Sequence, residues 1–418
     1  MSRRARASLA GEDASGFYPG MGQRITALTM MRDEAPSLLE WIAFQEVVGF
    51  DRIVVYTNDC RDGTDAMLDR LARIGVPVLR RDNPVPPGGK PQPSALKAAQ
   101  KDRAVLETDW LMVLDADEFV SVKVGGRRLP DLIAAVPEGT EGIVITWRIM
   151  GSCGLTDWDP GLVLESYTRG APDDFRRGWG VKTLFRPFSD MRLGIHRPTL
   201  KGAGTDPARA ARLAAFDWVN GSGRPMTRQF MEGMWRSSAV TLGYSLVELA
   251  HFAVKSREAF LLRQLRGNVN AKHDKYDAVY FGIFDRNETE RGDLLGHLPA
   301  VRDRVARYLR DPALAALHRN GRAWHAAQLR RLAAEPGHAR RMEALAACAA
   351  VPYDALDGLV FTQPLDARGK AVVARLRGEG VPDPEIARRV AASVSRLEAA
   401  RDARDARELR ARGLPQDR

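Results

Sequence analysis

The sequence predicts an α/β fold in which helices flank a mostly parallel sheet, followed by an α-helical C-terminal extension. Between residues 24 and 149, short apolar segments alternate with segments of helical periodicity, as in a parallel sheet with crossover helices. Beyond about residue 290, Ala, Arg and Leu recur with a helical period and strand-forming residues are few. With 418 residues, 44 % of them hydrophobic, the chain is long enough to bury a large core.

The first five elements follow one another through short connections. A helix start is indicated by two acidic residues and a proline at 33–36, and Gly49 marks the end of that helix. The predicted bounds are 25–30, 51–56 and 77–80 for the strands, and 33–48 and 65–74 for the helices.

The following elements extend this pattern to about residue 265. Ser94 is expected to cap a helix over 95–107 after a mobile loop at 81–93, and residues 150–205 are expected to be loop-rich. The other predicted elements are strands over 109–114, Gly142–Ile149 and 245–250, and helices over Leu129–Ala135 and 258–265.

Composition and charge divide the chain into three regions and narrow the partners. We expect a flexible leader over 1–23, an α/β domain over 24–290 and a helical Arg/Ala-rich region over 291–418. The net charge of +10 raises the question of nucleic acid, anionic membranes or small phosphorylated ligands. In the helical region acids alternate with arginines and stacking aromatics are few, so a solvated surface is favoured and no nucleic-acid partner is expected.

The cysteines and the N-terminus indicate a cytoplasmic protein. Cys60, Cys153 and Cys348 are odd in number and widely spaced, so they predict no disulfide framework. The basic start of the chain lacks the apolar segment of a secretory signal. No run of about eighteen apolar residues predicts a transmembrane segment, while peripheral membrane contact stays open.

The most informative segment is WLMVLDADEFV, in which an apolar strand runs into Asp115 and Asp117. Ligands of open α/β folds bind at the carboxyl ends of the strands. Side chains two positions apart on a strand point the same way, so both carboxylates are expected to reach one Mg²⁺ or Mn²⁺ ion. Such an ion would neutralise a diphosphate leaving group. The alternative is an ordinary acidic turn at a strand end.

Two further polar clusters follow the first and second predicted strands. The first is Arg32, Asp33 and Glu34, and the second contains Asn58 and Asp59. Polar groups on successive turns of one sheet edge are placed to bind a nucleotide, although helix capping explains such residues equally well.

The segments 30–64, 108–120 and 147–154 together resemble the GT-A glycosyltransferases, most closely the family-2-like group and also the family-92-like group. The resemblance is strong over 24–155 and fainter over 180–265, where it rests on KTLFRP, IHRP and HFAVKS. Thr57 and Cys60 stand where such proteins often carry Asp or Asn and Ser, and Gln45 replaces a common His.

The resemblance implies a metal-dependent enzyme with a GT-A fold. It would move a sugar from a UDP- or GDP-type nucleotide donor to the hydroxyl of a glycan or lipid-linked acceptor, in polysaccharide or surface-glycan synthesis. Mn²⁺ or Mg²⁺ would be held by Asp115, Asp117 and His251, with His196 competing for the last place. The expected donor-binding residues are Arg32, Glu34, Asn58, Asp59, Lys255 and Arg257. Lys182 is a further basic residue that would face the diphosphate.

An inverting transfer needs a carboxylate to accept the acceptor proton, whereas a retaining transfer does not. Asp157, Asp159 and Glu165, in the loop after Gly142–Ile149, are the candidates, and the sequence does not rank them.

Three other classes of protein are alternatives to this interpretation. A Rossmann dehydrogenase is excluded because the Gly20-Met21-Gly22 segment precedes the first strand. A haloacid-dehalogenase-like phosphotransferase ranks behind, because Asp115 follows three earlier strands and Asp173-Asp174 lies in a predicted loop. A non-enzymatic polyanion-binding scaffold stays open.

Overall fold

A mixed sheet of nine strands forms the centre of the computed structural model, which describes residues 23–266, 276–352, 355–356 and 367–414. The strands are β1 (Ile25–Met31), β2 (Arg52–Thr57), β3 (Val78–Asp82), β4 (Trp110–Val113), β5 (Glu118–Val122), β6 (Gly142–Ile149), β7 (Arg169–Gly170), β8 (Val181–Phe185), β9 (Met191–Arg192), β10 (Thr199–Leu200), β11 (Trp218–Asn220), β12 (Val247–His251) and β13 (Thr289–Glu290). Strands β7, β9, β10 and β13 form two small two-stranded sheets instead. Residues 1–22 of the predicted leader lie outside the described residues.

Helices cover the sheet and fill the C-terminal part of the chain. They are α1 (Ala35–Val48), α2 (Thr64–Arg73), α3 (Pro91–Ala99), α4 (Arg103–Leu106), α5 (Leu129–Ala135), α6 (Val163–Ser166), α7 (Pro207–Ala214), α8 (Arg228–Gly233), α9 (Arg257–Arg266), α10 (Ala278–Phe284), α11 (Leu298–Tyr308), α12 (Pro312–Ala333), α13 (His338–Ala349), α14 (Ala367–Gly378) and α15 (Asp383–Ala411). Within the described part of the chain, no helix is both long and apolar enough to cross a bilayer.

The sheet is parallel over most of its width. Its strands lie in the order β3-β2-β1-β4-β8-β6-β12-β5, with β11 paired to β6. Strand β8 runs antiparallel between β4 and β6, and β5 runs antiparallel to β12; the other pairs are parallel. The predicted fold class, a mostly parallel sheet with flanking helices and a helical C-terminal extension, is confirmed.

Both faces of the sheet are buried, which explains its nearly continuous apolar strands. On one face, Ile53 and Val55 pack with Trp41 and Phe44 of α1. On the other face, Val54 belongs to a second cluster that includes residues of α3. Successive residues of one strand point to opposite faces, so an all-apolar segment such as β2 supplies both layers.

In the middle of the chain, the predicted helix over 95–107 is wrong and one strand was not predicted. Helix α3 begins at Pro91 rather than after Ser94, since proline favours the first turn of a helix. The helix ends at Ala99, and Asp102 starts the separate helix α4 by accepting a hydrogen bond from the Ala104 amide at 2.9 Å. The expected loop-rich region contains β8, a buried strand that forms the middle of the sheet.

The helices that follow residue 290 share the core of the sheet. Val301, Tyr308 and Leu314 belong to the same buried cluster as Trp41 of α1. Helix α12 lies so close to α1 that a Cβ atom at position 321 would stand 2.5 Å from Ala35 Cβ, so only glycine fits there. Side chains on both sides of the predicted boundary at 290 therefore pack into one core.

A buried ion cluster joins β6 and β12 to the chain before α5. Oε2 of Glu248 lies 3.0 Å from Arg148 Nη2 and 2.9 Å from Lys123 Nζ. Arg148 also stacks on the Tyr244 ring, 3.9 Å from its centroid, and the Glu248 and Arg148 side chains are almost completely buried. Glu248 is the buried carboxylate that Arg148 and Lys123 share, so its loss would leave them only the exposed Asp173 and Asp293 as carboxylate partners.

We expect Glu248→Ala to lower the free energy of unfolding by about 3 kcal/mol, because it leaves the buried Arg148 with the exposed Asp173 as its remaining carboxylate partner. Urea unfolding measures the change. Glu385→Ala, which removes an exposed partner of Arg389, is the control and should leave the midpoint unchanged. Equal midpoints for the two variants would contradict the structural role of the cluster.

Candidate functional site

Asp115 and Asp117 lie in the turn between β4 and β5, at the carboxyl end of β4. The turn is closed by the Asp115 amide, which donates to Glu118 Oε2 at 2.8 Å, and by the Glu118 amide, which donates to the Asp115 carbonyl at 3.1 Å. Because the chain has left the extended conformation, the two carboxylates have different partners. The expected pair of side chains on one strand is therefore not found, and each carboxylate binds its own partner.

Asp115 is bound by a buried lysine. Its Oδ2 atom lies 3.0 Å from Nζ of Lys182 in β8, and Gln92 Nε2 donates to its Oδ1 atom at 3.5 Å. Lys182 Nζ is also 3.4 Å from Glu118 Oε2, and the lysine side chain is completely buried. Burial alone would lower the pKa of Lys182, but the carboxylates of Asp115 and Glu118 raise it, so the ammonium stays charged.

Asp117 lies beside an arginine and a histidine. Arg263 of α9 donates from Nη1 to Oδ2 of Asp117 at 2.7 Å, and His251 Nε2 is 3.7 Å from Oδ1. Burial alone would raise the pKa of Asp117, but Arg263 and His251 hold it well below its usual range. His251 ends β12 directly opposite Glu118 in the antiparallel pair, which is why it reaches the acidic turn.

Asp117 and its neighbour His251 fit a divalent cation that takes most of its ligands from a bound phosphate and from water. Among the described residues, no three His, Cys, Asp or Glu side chains form a metal-binding group. Asp117 and His251 are adjacent, however, with Nε2 of the imidazole 3.7 Å from Oδ1 of the carboxylate. One carboxylate and one imidazole suit an ion that completes its shell with phosphate oxygens and water.

A cavity of about 290 Å³ opens at the carboxyl edge of the sheet. Its floor contains Asp33 and Glu34 after β1, Asp117 after β4, and Lys255 after β12. This is the edge at which parallel α/β sheets bind ligands. The cavity therefore collects residues from three turns that the sequence analysis treated separately.

Three residues at this edge have a left-handed backbone. Asp33, Asp59 and Lys255 have φ values of 53°, 51° and 59°, and each follows a strand of the sheet. Such a conformation costs a non-glycine residue roughly 1 kcal/mol and is frequent at functional sites. At Asp33 the surrounding contacts maintain it, since both carboxylate oxygens accept hydrogen bonds from Arg61.

Helix α12, in the helical region after residue 290, forms a wall of the cavity. Trp324, Gln328 and Arg331 line it at successive spacings of four and three residues, which places them on one helical face, and Glu335 lines it just beyond the end of the helix. Trp324 lies against Arg61, whose guanidinium carbon is 5.4 Å from the ring centroid. A helix face of aromatic and charged residues looks like a solvated surface in the sequence, so nothing there indicated this role.

The predicted donor residues divide into two groups. Of the six, Glu34 and Lys255 line the cavity. The other four form contacts with neighbouring protein residues. Arg32 Nε is 3.9 Å from Asp33, and Asn58 Nδ2 donates to Asp59 at 3.0 Å. Arg257 Nη1 donates to Thr156 at 3.1 Å. Sequence reasoning missed Arg61 and Arg263, which also line the cavity.

The three predicted base candidates, Asp157, Asp159 and Glu165, have different surroundings. Asp159 lines the cavity, but it accepts hydrogen bonds from the Gly161 amide and the Ser166 hydroxyl, both at 2.7 Å, which lower its pKa. Glu165 is paired with Arg302 at 2.8 Å, and Asp157 is exposed. The contacts of Asp159 and Glu165 make these two carboxylates weaker bases, and Asp157 stays a predicted candidate.

His196, the competing histidine, contacts β8 and Trp235. Its Nδ1 atom is 2.9 Å from the Val181 carbonyl, and its ring stacks on Trp235. Burial and the nearby Lys182 ammonium lower the pKa of His196 to about 4, so the ring is neutral near pH 7. Position therefore favours His251 over His196 as the partner of Asp117.

Comparison with known proteins gives limited agreement. No family model matches the chain. A glycosyltransferase family 92 protein of Arabidopsis thaliana is 30 % identical over 100 residues, which are 24 % of this chain and 17 % of that protein. The chain thus spans less than a fifth of the length of this relative. The match agrees with the predicted resemblance to glycosyltransferases.

Two solved structures align with about a third of the chain. One is glucosyl-3-phosphoglycerate synthase from Mycobacterium tuberculosis in complex with Mn²⁺, UDP and glucosyl-3-phosphoglycerate, with 18 % identity, 31 % of this chain and 45 % of that chain covered, and a TM-score of 0.22. The other is the bifunctional glycosyltransferase WbbM, with 15 % identity, 31 % and 24 % covered, and a TM-score of 0.21. Alignments this loose carry no argument about the chemistry of this chain.

Glu40 of α1 predicts a pH-dependent stability. Burial raises its pKa from 4.5 to about 7, although its carboxylate accepts hydrogen bonds from the Val163 and Leu164 amides. Because the folded protein holds the Glu40 proton more tightly than the unfolded chain, protonation of Glu40 stabilises the fold. This contribution to the free energy of unfolding is complete below pH 4.5 and is lost as the pH rises through 7. The difference between a pKa of 4.5 and one of about 7 corresponds to about 3 kcal/mol in the free energy of unfolding.

We expect Glu40→Gln to flatten the decline in unfolding free energy between pH 4.5 and 7.5. Urea unfolding at four pH values across this interval measures the slope. The exposed Glu107→Gln variant serves as control and should keep the wild-type slope. An unchanged slope in Glu40→Gln would show that this carboxyl is ionised throughout the interval.

Proposed function

We propose that the protein is a nucleotide-sugar-dependent glycosyltransferase whose donor binds in the cavity at the carboxyl edge of the sheet. The observation that carries the proposal is the meeting of Glu34, Asp117 and Lys255 in one enclosed space. A carboxylate suits ribose hydroxyls, a lysine suits a diphosphate, and an acidic turn suits a divalent cation. A UDP- or GDP-type donor contains all three chemical features.

In this proposal Asp117 and His251 hold Mn²⁺ or Mg²⁺, which neutralises charge on the leaving nucleoside diphosphate. Lys255 adds a positive charge at the same edge, and Arg263 fixes the carboxylate of Asp117 at 2.7 Å. Asp115 is restrained by Lys182 and keeps the acidic turn in place. The acceptor would be a hydroxyl of a glycan or lipid-linked saccharide, as in polysaccharide or surface-glycan synthesis.

Helix α12 closes the donor cavity in this proposal. Trp324 stands next to Arg61, and Arg61 binds Asp33 at the turn that would contact the nucleoside. An aromatic wall excludes water and offers a face against which a flat base can stack. The helical extension would thereby contribute directly to donor binding.

Asp117→Asn should reduce sugar transfer and donor hydrolysis at least about 100-fold, because the metal and the leaving group lose a carboxylate partner. The assay is release of UDP or GDP from a panel of nucleotide sugars with MnCl₂ or MgCl₂. Asp82→Asn, at an exposed carboxylate at the end of β3, is the matched control and should retain wild-type rates.

Full activity of Asp117→Asn would reject the proposed donor site. If no nucleotide diphosphate raised the melting temperature of the wild-type protein in the presence of Mn²⁺, the proposal would fail as well. Hydrolysis of simple phosphomonoesters would favour the phosphotransferase alternative instead.

Trp324→Ala should weaken UDP or GDP binding about tenfold through the loss of one stacking surface. Isothermal titration with each nucleotide in the presence of Mn²⁺ measures the dissociation constant. Arg330→Ala, on the same helix but not among the residues lining the cavity, controls for disturbance of α12. Equal affinities in the two variants would place the nucleotide away from α12.

A further inference from the structure

A row of four aromatic rings leads from the acidic turn to the protein surface. The His251 and Trp147 centroids are 4.6 Å apart, those of Trp147 and His196 5.6 Å, and those of His196 and Trp235 4.8 Å. Trp235, at the outer end, is 38 % exposed and is the one aromatic residue among the exposed large hydrophobic side chains of the described chain. We call these four residues the aromatic row.

The rings of the aromatic row are held rigidly. Trp147 donates from Nε1 to Glu118 Oε1 at 2.8 Å, and its ring lies against the backbone at Gly180, where a Cβ atom would stand 2.2 Å from it. The Trp235 carbonyl accepts a hydrogen bond from the Val181 amide at 3.2 Å, which joins the backbone at Trp235 to β8, and the ring itself stacks on His196. A ring fixed in this way binds a ligand without first losing conformational entropy.

We infer that the aromatic row is the acceptor subsite and that Trp235 binds a neutral pyranose ring of the acceptor. This inference rests on the proposed function and extends it to the class of acceptor. The C–H groups on one face of a pyranose carry slight positive charge and pack against the negative face of an aromatic ring. The Trp235 ring stacks on His196 at a centroid distance of 4.8 Å and lies 5.7 Å from the guanidinium carbon of Arg236, so the sugar would pack on the exposed part of the ring.

The position of the aromatic row suits a second substrate. Asp117 lines the donor cavity, while His251, at 3.7 Å from Asp117, begins the row. The two ligands would therefore approach the acidic turn from different sides. A transfer enzyme needs this arrangement, because the acceptor hydroxyl must lie next to the anomeric carbon of the donor sugar.

The transfer itself involves one bond formed and one broken. The acceptor hydroxyl oxygen bonds to the anomeric carbon, and the bond from that carbon to the diphosphate oxygen breaks. The nucleoside diphosphate leaves with the electron pair, and the hydroxyl proton passes to solvent water. Trp235 takes part only by binding and orienting the acceptor.

The experiment uses methyl α- and β-pyranosides of glucose, galactose and mannose, which contain no aromatic group of their own. We expect Trp235→Ala to raise KM for the accepted glycosides about tenfold and to leave KM for the donor and donor hydrolysis unchanged. Trp235→Phe should restore KM to within about threefold. Leu295→Ala, at a side chain that is also 38 % exposed, is the matched control and should behave as wild type.

Saturation-transfer NMR with the same glycosides tests binding without turnover. Loss of saturation transfer in Trp235→Ala alone supports the subsite, even if the wild-type protein consumes no nucleotide sugar and the proposed function fails. Donor turnover combined with equal glycoside KM and equal saturation transfer in Trp235→Ala and Leu295→Ala overturns the subsite and leaves the proposed function standing.

Discussion

The buried ammonium of Lys182 determines how the acidic turn is arranged. It lies between Asp115 and Glu118, at 3.0 and 3.4 Å, in a place from which water is excluded. Three carboxyl groups crowd at this strand end: Lys182 pairs with Asp115, Arg263 pairs with Asp117, and burial raises the pKa of Glu118 well above its usual range. Strand β8 has to pass antiparallel between β4 and β6 to deliver the lysine, so the topology of the sheet and the electrostatics of the turn depend on each other.

The turn also explains why the two candidate ligand surfaces meet. Strand β12 pairs with β5 so that His251 stands opposite Glu118, which sets an imidazole beside Asp117. Arg263 then approaches from α9, only a short loop beyond β12. Asp117 lines the cavity, and Trp147 of the aromatic row is fixed to Glu118 by its indole N–H. Each surface is thus oriented by the same few residues.

The sequence was informative wherever local signals were sufficient. Strands β1, β2 and β6 and helix α1 are apolar segments bounded by turn residues, and they lie within one or two residues of their predicted positions. Strand β5 was missed because it follows the acidic turn without a glycine or proline between them. Strand β8 was missed because a charged residue stands within its five positions. The partners of Asp115 and Asp117 are 67 and 146 positions away, and no local pattern records contacts of that range.

Helix α12 completes the cavity, and it is synthesised after every strand of the large sheet. A ribosome completes every strand of the large sheet, the last ending at His251, before it reaches Pro312. Until then the face of α1 that receives Gly321 stays open to water, and the cleft has a floor but lacks one wall. Only chains extended through α12 acquire an enclosed cavity, so incomplete synthesis products would carry the acidic turn without a sheltered place for a ligand.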